Sequence, residues 1–80
     1  MREIEIGKKY RHFKNKEYIV LDIVNDSESN NDECLKKVVI YQALYGDKLK
    51  WARPYDMFNS EVDHQKYPEV KQKYRFEEID

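Results

Sequence analysis

At 80 residues the chain makes one small domain, spanning 1–80, with a modest core and no room for a separate catalytic lobe, so binding or assembly is its expected role. Charged residues (39%) nearly match hydrophobic ones (40%), but the apolar residues are gathered in short runs, and the chain is expected to fold rather than stay disordered. A lone cysteine, Cys34, excludes an internal disulfide and a disulfide-stapled secreted scaffold, and it fits a reducing cytoplasm.

The net charge of -1 conceals segregation. Residues 1–16 carry an excess of four positive charges and 17–35 an excess of six negative ones, 36–54 return to four positive, and 55–80 close at three negative. Two basic segments paired in one sheet would give a positive face on a nearly neutral molecule, while charges scattered in solvent would give none.

In chain order, Met1 to Ile6 lacks the apolar stretch of a signal peptide, and no segment is long enough to span a bilayer, so no membrane partner is expected. Lys9 to Phe13 reads as a short aromatic strand. Asn15 follows as a tight turn, because Asn tolerates the left-handed region. Glu17 to Asn25 is the second strand, and Tyr18-Ile19-Val20-Leu21-Asp22-Ile23-Val24 within it is apolar in both phases. A small domain cannot cover both faces of one strand, so a bulge is expected near Leu21 or Asp22 that swaps the inward phase and bends the sheet.

Asp26 to Glu33 has no apolar residue and reads as an acidic, mobile loop. Leu35 to Leu44 is the third strand. Gly46-Asp47 is a two-residue turn beginning with Gly at positive φ, leading into a fourth strand over Lys48 to Arg53. Pro54 ends that strand and starts a helical turn, Tyr55 to Phe58, with Met57 and Phe58 capping one end of the core. Asn59 to Lys73 is polar, with one more helical turn at Tyr67-Pro68-Glu69-Val70, and Tyr74 to Ile79 is the last strand. The pattern predicts a mainly β fold: a small five-stranded barrel with one or two short helical turns.

Tyr10-Arg11-His12-Phe13-Lys14, Tyr18-Ile19-Val20-Leu21, Val39-Ile40-Tyr41, Ala43-Leu44-Tyr45-Gly46-Asp47, Trp51-Ala52-Arg53-Pro54 with Met57-Phe58, and a closing Arg75-Phe76 occur in this order. Together they resemble a small bacterial family catalogued as a domain of unknown function, family 1653. The resemblance covers nearly the whole chain and implies an SH3-like barrel, but no activity. The loop around Asn30 and the stretch from Val62 to Lys73 are longer than the family leads one to expect.

The chemistry starts from absences. His12, His64 and Cys34 fall in no Cys-x-x-Cys or His-x-x-x-His spacing, so no metal is expected. Gly7 and Gly46 are the only glycines and lie far apart, which excludes a phosphate-cradling glycine loop and leaves no cofactor expected. Cys34 borders the acidic loop, where neighbouring charge suppresses its thiolate. His12 would work as acid or base only if it met Asp47 or Asp22; with no accompanying nucleophile or carboxylate pair, the chain reads as a non-enzyme.

The aromatic and Arg set is the stronger signal. Alternation places Leu49, Trp51 and Arg53 on one face of the fourth strand and Lys50 and Ala52 on the other. Inward, Trp51 is the largest core residue; outward, Trp51 and Arg53 form a platform for a base, a peptide or a cation. The ligand-binding candidates are Tyr10, Arg11, His12, Tyr45, Asp47, Trp51, Arg53 and Tyr55. The expected function is a cytoplasmic binding module, monomeric or weakly dimeric, holding a peptide, a protein or a modified side chain. The alternative is a weak single-stranded nucleic-acid binder using Arg11, Lys14, Lys36, Lys37 and Arg53, against which a pI of about 6.1 argues.

Overall fold

The computed structural model describes residues 2–28 and 36–79. The described strands are β1 (Lys9–His12), β2 (Lys16–Asn25), β3 (Lys37–Ala43), β4 (Lys50–Pro54) and β5 (Phe76–Ile79), with one helix, α1 (Tyr55–Phe58), between β4 and β5. They form a single antiparallel sheet in the order β4-β3-β2-β1-β5. The ladder ends at β4 and β5, so the sheet is mainly-β architecture with two edges. Most of the acidic loop, together with Cys34 and Leu35, lies outside the described residues.

The turns follow from residue type. Phe13, Lys14 and Asn15 join β1 to β2, with Asn15 at φ 70 and its N–H donating to the His12 carbonyl at 2.7 Å. A three-residue hairpin loop ending in the left-handed region is a favoured geometry, and Asn enters that region at little cost. Gly46 also has positive φ, 56, as expected. The connection it serves is nevertheless wider than two residues: Lys48 is left-handed too, at φ 55, and β4 begins only at Lys50. Pro54 closes β4 within the ladder opposite Val38 and is the N-cap of α1. The segment Tyr67 to Val70 is a turn closed by the Val70 N–H on the Tyr67 carbonyl at 3.2 Å, not a second helix.

The bulge falls at Leu21. Val20 pairs with Tyr41 and Asp22 with Ile40, leaving Leu21 as the extra residue of β2. Tyr18 and Val20 face the core before it, and Ile23 faces the core after it, opposite buried Val39. One inserted residue thus explains how a strand apolar in both phases buries a single face.

The sheet curls strongly around that face. Strands lie about 4.8 Å apart, so a flat sheet would hold β4 roughly 19 Å from β5. Instead, Arg53 of β4 places its guanidinium 5.4 Å from the Phe76 ring of β5. Inside the curl, Phe58 stacks on Phe76 at 4.0 Å with the rings nearly parallel, and both receive Tyr41 edge-on, at 5.2 and 5.6 Å. Tyr10 meets Phe58 at 5.5 Å and Tyr18 meets Phe76 at 5.7 Å. The two residues expected to cap the core divide: Phe58 is fully buried, whereas Met57 is half-exposed.

The first residues cover the core's remaining side. Ile4 is buried there, its N–H donating to the Tyr55 hydroxyl at 2.9 Å, and the Glu5 N–H donates to the Tyr10 hydroxyl at 3.0 Å. Arg2 donates to the Asn59 side chain while Asn59 Nδ2 donates back to the Arg2 carbonyl. The Arg2 guanidinium lies 3.9 Å from the Tyr74 ring, and burial lowers its pKa.

Truncating a buried Phe costs about 3–5 kcal/mol, against roughly 4–12 kcal/mol of total stability for a domain of this size. Phe58→Ala is therefore expected to unfold the protein or bring it to the edge of unfolding in a urea titration, while its neighbour Met57→Ala stays within about 0.5 kcal/mol of the parent. Equal effects at the two positions would contradict the buried stack.

Candidate functional site

Facing residues on neighbouring strands share a face, which settles the orientation of β4. Trp51 lies opposite buried Tyr41, and Arg53 opposite buried Val39, so both are on the core face, with Ala52 and Ile40 on the other. Trp51 is nonetheless 49% exposed and Leu49 55% exposed. The inward and outward readings of Trp51 both fall short, because β4 is an edge strand: its inner face extends past the core and is left half covered. Tyr45, 40% exposed, flanks this region from the β3–β4 connection, its hydroxyl 2.6 Å from that of Tyr18 and its ring 4.9 Å from Lys16 Nζ. Burial and the Tyr45 hydroxyl both raise the Tyr18 pKa.

Arg53 turns from this edge toward the interior. Its Nε donates to the Tyr41 hydroxyl at 3.1 Å, and its guanidinium packs near Phe76. Beyond it opens a depression of about 320 Å³ whose basic wall is Arg53, Arg75, Lys14 and Lys66. His12 and the rings of Phe13 and Tyr67 complete that wall, with Asp63 as its sole carboxylate.

Each wall residue is positioned by local structure. The His12 ring is held between Phe13, at 4.4 Å, and Phe76, at 4.9 Å, and its Nδ1 accepts the Lys14 N–H at 3.1 Å. That acceptor role puts the proton of the neutral ring on Nε2. Arg75 is fixed by its backbone, its N–H donating to the Ser60 carbonyl and its carbonyl accepting the Phe13 N–H, at 2.8 and 3.0 Å. Its Nε is buried without a hydrogen-bond partner among the described residues. Asp63 Oδ1 accepts the N–H groups of Gln65 and Lys66, at 3.1 and 3.3 Å, and the resulting turn brings Tyr67 to 5.0 Å from Phe13.

The sequence candidates separate accordingly. His12 and Arg53 come together in the depression, and Tyr45 and Trp51 remain on the exposed edge. Tyr10 and Tyr55 hold the first residues of the chain through their hydroxyls. Arg11 faces the other side of the sheet, in an ion pair with Glu17 at 3.5 Å. Asp47 is exposed in the β3–β4 connection, and Asp22 projects on the face opposite His12, where it accepts the Ile23 N–H at 2.8 Å. Sequence reasoning missed Arg75, Lys66, Asp63 and Tyr67, which lie in or beside an aperiodic loop. The one available signal was Arg75 abutting the apolar residue that opens the last strand.

Burial, and after it the charges of Arg53, Arg75 and Lys14, push the His12 pKa down from 6.5 to about 4. The folded state then binds fewer protons than the unfolded chain between those two values, so this contribution to stability is intact above pH 6.5 and is lost as pH falls toward 4. An NMR titration of the His12 ring is expected to show half-protonation near pH 4; a midpoint at the ordinary 6.5 would place the ring in solvent, away from the three cations.

Neither the curated proteins nor the solved structures offer a match to this chain. A family described as a protein of unknown function (DUF1653) matches residues 8–78, a span that contains β1 to β4, all of β5 but Ile79, the exposed edge of β4 and every residue of the basic depression. With its ordered motifs accounted for from the first strand to the last, the chain belongs to the DUF1653 family.

Proposed function

We propose that this protein is a binding module of the bacterial cytoplasm, an SH3-like barrel that acts by holding a peptide or protein segment rather than by catalysis. The reading rests on one observation: Trp51 lies on the core face of an edge strand and is left half uncovered, as is Leu49 immediately before that strand. An extended segment added along β4 would take backbone hydrogen bonds from the strand and cover Trp51, with Arg53 and Tyr45 at either side for polar or modified side chains. Covering the exposed half of an indole of about 250 Å² is worth roughly 3 kcal/mol.

Two copies paired through β4 would set Lys50 and Arg53 of each against the same cations of the other, a repulsion that an uncharged or acidic segment avoids, which supports a monomer or at most a weak dimer. The nucleic-acid reading has less support. Arg11 is on the opposite face from Arg53, and Lys37 lies at the far end of β3 opposite Asn25, so the basic residues follow no single track.

Trp51 is the sole tryptophan, and in the free protein its emission is expected to be red-shifted and open to acrylamide quenching. Affinity capture from the source cell should retain a set of proteins that Trp51→Ala and Arg53→Ala baits both lose, and a captured protein should protect Trp51 from quenching. Blue, unquenched emission in the free protein, or identical eluates from all three baits, would leave this face without the role.

A further inference from the structure

The basic depression is separate from the exposed edge, sharing Arg53 with it. Its wall sets four cationic side chains, Lys14, Arg53, Lys66 and Arg75, against the one carboxylate of Asp63, an excess of three positive charges around about 320 Å³. Asp63 stands in no ion pair with them within 4 Å, and its Oδ1 accepts two backbone N–H groups. None of the wall residues shares in the ion pair of Arg11 with Glu17, which lies on the opposite face. The guanidinium of Arg53 uses its Nε on Tyr41, and that of Arg75 has a buried Nε with no acceptor among the described residues. Like charges gathered on a half-buried wall repel one another, and an anion between them reverses the sign of that interaction.

We propose that this depression binds the phosphate of a phosphomonoester. Two guanidiniums and two ammonium groups suit a tetrahedral dianion, which carries close to two negative charges at neutral pH. A single carboxylate would leave most of the positive excess in place. The His12 Nε2–H supplies a neutral donor on the same wall. The depression also exceeds what one phosphate fills, and the rings of Phe13 and Tyr67 offer the remainder to the organic group of the ester.

The test uses the intact protein with inorganic phosphate and phenyl phosphate, against chloride at matched ionic strength. Phosphate is expected to raise the thermal midpoint beyond chloride, and to raise the His12 pKa by offsetting the field of Arg53, Arg75 and Lys14; Asp63 and Lys66 are the other charged groups on that wall. Phenyl phosphate should bind more tightly than inorganic phosphate. Arg75→Gln should weaken binding about tenfold or more, the loss of a charged hydrogen-bond donor. The exposed Lys14→Gln and Lys66→Gln, which leave the core untouched, should each weaken it by roughly two- to fivefold. Trp51→Ala should leave it unchanged, so this site and the β4 edge fail or succeed separately. The proposal is overturned if chloride reproduces the effect of phosphate, or if folded Arg75→Gln and Lys14→Gln variants bind as the parent does. Inorganic phosphate outcompeting phenyl phosphate would remove the ester. An unphosphorylated single-stranded oligonucleotide that binds without competition from phenyl phosphate would assign the cations to nucleic acid instead.

Discussion

Phe58 and Phe76 stack face to face at 4.0 Å, and that contact fixes the curvature of the whole sheet. Phe58 hangs from the end of α1, directly after β4, whereas Phe76 opens β5 at the opposite edge. For the rings to touch, the sheet between them must bend through most of a turn. Tyr41, Tyr18 and Tyr10 then line the concave side, Tyr41 edge-on to both stacked rings and the other two each to one, as the quadrupoles of aromatic rings favour. Five strands alone would supply few buried side chains; this small domain meets that shortage by centring its core on the large rings of Tyr10, Tyr41, Phe58 and Phe76, with Ile4, Val20, Val39 and Val62 filled in around them.

The curl also decides where charge collects. Arg53 belongs to one edge strand and Arg75 precedes the other, and in a flat sheet they would share no environment. Bending brings both to the same depression as His12, whose ring is part of the aromatic network through Phe76. Core and depression therefore share components. The Tyr41 hydroxyl, at the border of the buried cluster, holds Arg53 by its Nε and so aims the guanidinium across the mouth of the curl. A basic cluster built this way is rigid on the sheet side and loop-borne on the other, where Asp63 organises the turn that carries Lys66 and Tyr67.

Much of this was legible because it rests on local rules. The doubly apolar run of β2 signalled the bulge that Leu21 supplies, and Asn15 and Gly46 marked the positions where positive φ is required. The rest depends on what lies across space. Alternation grouped Trp51 with Arg53 but carried no information on which face was inward, nor that an inward residue on an edge strand stays half exposed. A tyrosine's type likewise says nothing of what its hydroxyl holds, so that Tyr10 and Tyr55 accept the N–H groups of Glu5 and Ile4 became visible only in the fold. Arg75, Lys66 and Tyr67 had no period to betray them, since their neighbours form turns rather than strands.

The opening residues alter what counts as the folding unit. The family match begins at residue 8, yet Ile4 is buried in the core and Arg2 and Asn59 hold each other by hydrogen bonds in both directions. A fragment trimmed to 8–78 would lose only Ile79 from the strands and still uncover the aromatic cluster along one flank, leaving the Tyr10 and Tyr55 hydroxyls without the backbone N–H groups that donate to them. The boundary at which related sequences begin to agree is, in this protein, several residues inside the boundary at which the chain begins to be folded.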